Sequence, residues 1–194
     1  MGSTAGGDEG GNAIPCYEQI YALAGPTQTW RIVGGTEIKE DIDHTISFLN
    51  RYYKDHGPNG GYYSHIDPVT FDAKAESLGV NKAKKNWNSV GDHAPAYLIN
   101  LYLATGDENY GRFLEDTFDT ICDHFPDYGY SPFMNEKFFD DWSHDLKWGI
   151  HQARCVVGHN LKVAWNLTRM HSLTPKESYK TFAHQIADAI PAAG

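Results

Sequence analysis

Apolar residues recur along this chain at intervals of three and four, and the runs that carry them are separated by clusters of Gly, Pro, Asn and Asp. That pattern predicts helices punctuated by turns. The first spans Ile14 to about Val33, with a kink at Gly25-Pro26. The second opens with Thr36 as N-cap and buries Ile38, Ile42, Ile46, Leu49 and Tyr53 before Pro58-Asn59-Gly60-Gly61 ends it. A short extended excursion, Tyr62 to Ile66, leads into a polar loop that reaches about Lys85. The third helix runs from about Asn88 to Ala104, Thr105-Gly106-Asp107 makes a tight turn, and the fourth covers roughly Glu108 to Phe125. A long loop, Pro126 to Arg154, carries short strands near Phe133 to Phe139. The fifth helix begins near Val157, and Thr174-Pro175 starts the sixth, with Thr as cap and Pro in the first turn.

The odd-numbered helices are apolar nearly all round and the even-numbered ones carry more charge, which assigns them to an inner and an outer layer. The connections also repeat. Asp55-His56-Gly57-Pro58, Gly61-Tyr62 and Phe71-Asp72 reappear as Asp123-His124-Phe125-Pro126, Gly129-Tyr130 and Phe139-Asp140, each at an offset of 68 residues. Self-similarity at a fixed period marks a repeated structural unit. Three helix pairs in this order predict an all-α fold, an α/α toroid with short β-hairpin excursions in its long loops. A plain bundle of the same helices satisfies the periodicity equally well. Residues 1–13, rich in Gly and small side chains, are expected to be a flexible leader to one domain over 14–194.

Composition narrows the partners. With 16 basic and 25 acidic residues the net charge is −9, which disfavours nucleic acid because phosphate neutralisation needs a basic surface. No apolar run approaches a membrane span, and the N-terminus lacks the regions of a signal peptide. Three widely spaced cysteines (Cys16, Cys122, Cys155) point away from a disulfide framework and toward a reducing, cytoplasmic setting. No metal-ligand spacing is present.

The stretch Gly158 to Arg169 carries the chemistry. At about 100° per residue, His159, Lys162, Asn166 and Arg169 share one helix face, flanked by Leu161, Val163, Ala164 and Leu167. A narrow basic stripe between apolar flanks suits the wall of a pocket. Its histidine, with an ordinary pKa of about 6.5, suits proton transfer near neutrality.

Three pieces of the chain resemble the N-acylglucosamine 2-epimerase family, which also holds the cellobiose 2-epimerases. Gly60-Gly61-Tyr62-Tyr63 followed by Asp67 resembles its Gly-Gly-aromatic hairpin. Asn88 and His93, followed by Tyr97, Leu101-Tyr102 and Thr105-Gly106-Asp107, resemble its asparagine–histidine helix. Gly158-His159 with Trp165 six residues on resembles its Gly-His helix. The resemblance implies an (α/α)6 barrel of about twice this length, so the chain is expected to form about half of one. It implies a carbohydrate epimerase or isomerase acting at C2 of a reducing sugar through an enediolate, with neither metal nor cofactor. The family's second catalytic histidine and its early arginine have no match here, so the chain by itself is expected to be inactive. Lys162 stands where cellobiose 2-epimerases carry glutamate.

His159 and His93 are the expected catalytic residues, and Lys162, Trp165, Asn88, Arg169, Tyr62 and Trp87 the expected substrate-binding ones. Each has a plainer alternative. His159 is also readable as a hydrogen-bonded structural histidine, and His93 as one bonded to Asp92. Lys162 could stabilise an enediolate oxygen or simply snorkel from a half-buried helix. Trp165 could stack on a sugar or fill core, and Arg169 could bind an anion or pair with an acidic neighbour. Tyr63, His65, Trp142 and Trp148 are weaker loop candidates. A glycoside hydrolase or lyase on the same barrel is the competing enzyme reading. It needs two carboxylates, for which Asp92, Asp140 and Asp141 are available. A non-catalytic half-barrel that binds sugar, or that self-associates through exposed end helices, is the third.

Overall fold

The computed structural model describes residues 13–85, 94–127, 130–147 and 156–193. Seven α-helices dominate the described residues: α1 (Cys16–Ala22), α2 (Ala24–Val33), α3 (Thr36–Phe48), α4 (Ala94–Thr105), α5 (Glu108–His124), α6 (Val157–Leu173) and α7 (Glu177–Ala193). Helices α2, α4 and α6 contact one another in sequence, and each is followed by an antiparallel partner, α3, α5 and α7. This is the two-layer, three-pair arrangement that the charge pattern predicted.

Exposure separates the layers. Among the described residues, every large apolar side chain exposed on an α-helix lies in α1, α2, α4 or α6: Tyr21, Ile32, Val33, Leu103, Val157, Leu161 and Trp165. The exposed positions of α3, α5 and α7 are polar, charged or alanine, as on Glu40, His44, Arg112 and Lys180, apart from Pro191 near the end of α7. Their inward faces form the core, where Ile42, Leu114, Phe118, Tyr179, Phe182 and Ile186 are buried. Burying a side chain of that size contributes about 2–3 kcal/mol.

Several boundaries differ from the sequence reading. The first helix breaks at Leu23, not at Gly25-Pro26. Pro26 falls in the first turn of α2, where its missing N–H has no helical acceptor to lose. Gly35 (φ 106°), not Thr36, stands at the N-cap of α3, and no side chain caps it. Thr174 ends α6, its N–H donating to Met170 O at 2.8 Å, instead of opening α7. The turn into α5 is as expected: Gly106 takes φ 64°, and the Asp107 side chain accepts the Asn109 N–H at 2.9 Å.

The long connections fold back into small sheets at one end of the layers. β1 (Ile14–Pro15) pairs antiparallel with β2 (His65–Ile66), and β3 (Lys84–Lys85) with β4 (Phe138–Phe139). The second pairing joins the loop before α4 to the loop before α6. A buried ion pair reinforces it. Lys85, with no exposure, donates to Asp55 Oδ2 at 2.8 Å and to Asp140 O at 2.7 Å. Trp142 and Tyr63 flank its ammonium.

Candidate active site

Helix α6 starts where the connecting loops gather, and its first turn places His159 beside them. The loop from α5 brings Glu136 to the imidazole: Nδ1 lies 3.2 Å from Glu136 Oε2. The Glu136 side chain is 6% exposed and that of His159 30%. A carboxylate oxygen accepts, so Nδ1 carries the hydrogen and the neutral ring keeps its lone pair on Nε2. Asn160 fixes the same loop. Its side-chain oxygen accepts Met134 N–H at 3.0 Å and its amide donates to Val156 O at 3.1 Å. The first of these bonds ties the loop to the helix beside the His–Glu contact.

The rest of the predicted stripe is only partly as expected. Lys162 and Arg169 are half-buried, but Asn166 is fully buried. The exposed arc runs instead through Val157, Leu161, Trp165 and Thr168, so the polar stripe lies at its border. Arg169 stacks on the Trp165 ring, 4.8 Å from its centre, and donates to Asn100 Oδ1 on α4 at 3.1 Å. No acidic side chain pairs with Arg169 among the described residues. Burial, with Arg31 nearby as a like charge, moves its pKa down. Four of the predicted residues, His159, Lys162, Trp165 and Arg169, therefore lie on one helix, at or beside its exposed arc.

Tyr62 is placed elsewhere. It is 1% exposed, its ring 5.5 Å from Phe113 on α5 and its hydroxyl donating to Asn50 Oδ1 at 2.6 Å. The weaker loop candidates also pack inward. His65 is buried beside Ser64, Tyr63 is buried, and Trp142 donates its indole N–H to Asn59 O at 2.7 Å. His93, Asn88 and Trp87, with Trp148 and Asp92, lie outside the described residues. The sequence reading missed Glu136. In the sequence it is one of five carboxylates in the long loop, with Asp127, Asp140, Asp141 and Asp145, and the contact spans 23 residues.

Among the described residues no group of three or more His, Cys, Asp or Glu side chains is placed to hold a metal ion, and no helix is long and apolar enough to cross a membrane. No family model matches the sequence, and no curated protein matches it. Solved structures do. A cellobiose 2-epimerase from Bacillus thermoamylovorans B4167 superposes with a TM-score of 0.77 at 16% identity, over 94% of this chain and 46% of its own. The chain carries the fold of about half an (α/α)6 barrel. A D-mannose isomerase gives a TM-score of 0.71 at 18% identity, over 91% of this chain and 42% of that one. The α-1,6-mannanase GH76A of Salegentibacter sp. HEL1_6 gives 0.64 at 16%, over 95% and 48%. The half-barrel thus spans somewhat less than half the length of these structures, and its three helix pairs correspond to half of a closed ring.

Proposed function

We propose that this half-barrel belongs to a carbohydrate epimerase or isomerase that moves a proton at C2 of a reducing sugar, with His159 as an acid/base. The His159–Glu136 contact carries the reading. Ring opening gives an aldehyde that acidifies the C2 hydrogen, and the lone pair on His159 Nε2 removes it. The imidazolium that forms keeps its Nδ1–H on Glu136, whose negative charge stabilises it. Return of a proton to the opposite face of C2 gives the epimer, and delivery to C1 gives the ketose. Lys162 neutralises charge developing on the enediolate oxygens, and Trp165 offers an aromatic face to the sugar. His93, Asn88 and Trp87 are assigned to orienting and binding the substrate. The similarity to a mannose isomerase and a cellobiose epimerase supports the same chemistry.

A hydrolase is the second reading, because GH76 mannanases share the fold and a variant of one lacking two adjacent aspartates is described as inactive. Asp140-Asp141 is an adjacent pair here. Hydrolysis requires one carboxyl held protonated and one ionised, and hydrogen bonds from the Ser143 hydroxyl and N–H hold Asp141 below the usual carboxylate range, which suits the ionised role.

The deciding experiment incubates mannose, glucose and a nitrophenyl glycoside in D2O with the chain completed to a full ring. Deuterium at C2 is the expected result, and release of nitrophenol without exchange overturns the proposal. His159→Ala should abolish exchange. His171→Ala should not, because His171 Nδ1 is spent on Lys176 O at 2.9 Å.

A further inference from the structure

On the outer surface, away from α6, an open cleft of about 490 Å³ lies between the end of α3 and the first half of α5. Its walls run against the charge of the chain. Acidic residues outnumber basic ones by 25 to 16 overall, yet Lys54, His56 and Arg112 line this cleft against a single carboxylate, Asp116.

The local backbone builds it. After Phe48 the helix widens into one π-turn, Leu49–Tyr53, closed by Lys54 N–H to Leu49 O at 3.1 Å. Such turns are rare and concentrate at functional sites. Here the widening leaves Asn50 O to accept from His56 Nε2 at 2.9 Å. A carbonyl can only accept, so Nε2 holds the hydrogen and Nδ1 gains one only when the ring is charged. Asn50 Oδ1 is occupied by the Tyr62 hydroxyl, which leaves its amide hydrogens as the donors it can offer. Across the cleft Arg112 donates to Asn109 Oδ1 at 2.6 Å and is in no ion pair among the described residues. Lys54 is 3.5 Å from Asp116, whose side chain is 57% exposed, a separation and exposure at which a pair contributes little. Phe113 forms the apolar wall, backed by Tyr62. Donors thus gather from two elements, most of them already held by a neighbour, around one aromatic face.

We infer that this cleft is a binding site for a small organic oxyanion, its phosphoryl or carboxylate group held by Arg112, Lys54 and the Asn50 amide and its apolar body resting on Phe113. The guanidinium fork supplies the planar two-point contact that oxyanions favour. The site is separate from the sugar chemistry proposed above and does not depend on it.

Calorimetric titration of the 194-residue protein at low ionic strength tests the assignment, with phenyl phosphate, benzoate, inorganic phosphate and phenol as probes. Phenyl phosphate or benzoate should bind saturably at one site, and the tighter of the two names the anion. Inorganic phosphate and phenol should each bind more weakly. Arg112→Gln should weaken binding by about tenfold or more, and Asp116→Asn should tighten it. Phe113→Leu should weaken phenyl phosphate but not inorganic phosphate. Lys180→Gln, a change of equal charge on α7, should leave binding unchanged. Non-saturable binding overturns the inference, as does indifference to Arg112→Gln and Asp116→Asn, or an equal loss in Lys180→Gln.

Discussion

His65 shows how the fold changes a residue's chemistry. It is an ordinary loop histidine in the sequence, but β2 buries it, and burial drives its pKa down to about 4. Between that value and about 6.5 the unfolded chain takes up a proton that the folded ring refuses. Stability contributed by the neutral ring is therefore complete above pH 6.5 and falls as the pH drops toward 4, by up to about 3 kcal/mol. Urea unfolding at pH 7, 5.5 and 4.5 should show this decline, and His65→Gln should flatten it. A variant with the same pH dependence as the parent would assign the decline to other groups. Glu136 is the opposite case. Nothing local marks it, and only the return of its loop onto α6 gives the carboxylate a histidine to orient.

Among the elements, the helices were legible and their joints were not. Periodicity located α3, α5 and α6 to within a few residues, because each needs an apolar stripe to dock. The break at Leu23 escaped it, since Pro26 reads as a breaker and is tolerated in a first turn. The repeat at offset 68 located equivalent connections but not equivalent environments. Tyr62 is 1% exposed and its counterpart Tyr130 is 92% exposed. What joins the two connections is Lys85, paired with Asp55 and bonded to Asp140 O. Burial pushes the Lys85 ammonium down and the Asp55 bond opposes this. Burial would push Asp55 up, but Lys85 and the Gly57 N–H hold it down. Lys85→Met should strand the Asp55 carboxylate and cost about 3–5 kcal/mol. Lys85→Met with Asp55→Asn should recover part of that. The urea midpoint at constant m reads both, and a single variant within about 0.5 kcal/mol of the parent would show that the pair does not hold the loops together.

At the scale of the whole molecule, half a ring leaves its inner layer facing outward. Ile32 and Val33 are 83% and 68% exposed on α2, and Val157, Leu161 and Trp165 are about half exposed on α6. Apolar surface of this kind on helices drives association. Light scattering on the 194-residue protein should therefore show a mass that rises with concentration, and Leu161→Lys with Ile32→Lys should lower it. A monomer at every concentration would count against exposed inner helices as an association surface.

The order of helices and their division into a charged and an apolar layer were set by spacing along the chain, because helix periodicity and turn chemistry are local. The tertiary fold alone decided which face of α6 stays open, which loop carboxylate meets His159, and that Tyr62 is buried against Phe113 of α5. Those outcomes depend on contacts between residues far apart in sequence, such as Glu136 with His159 and Tyr62 with Phe113. No local pattern encodes them, because each needs another element's position before its energy exists.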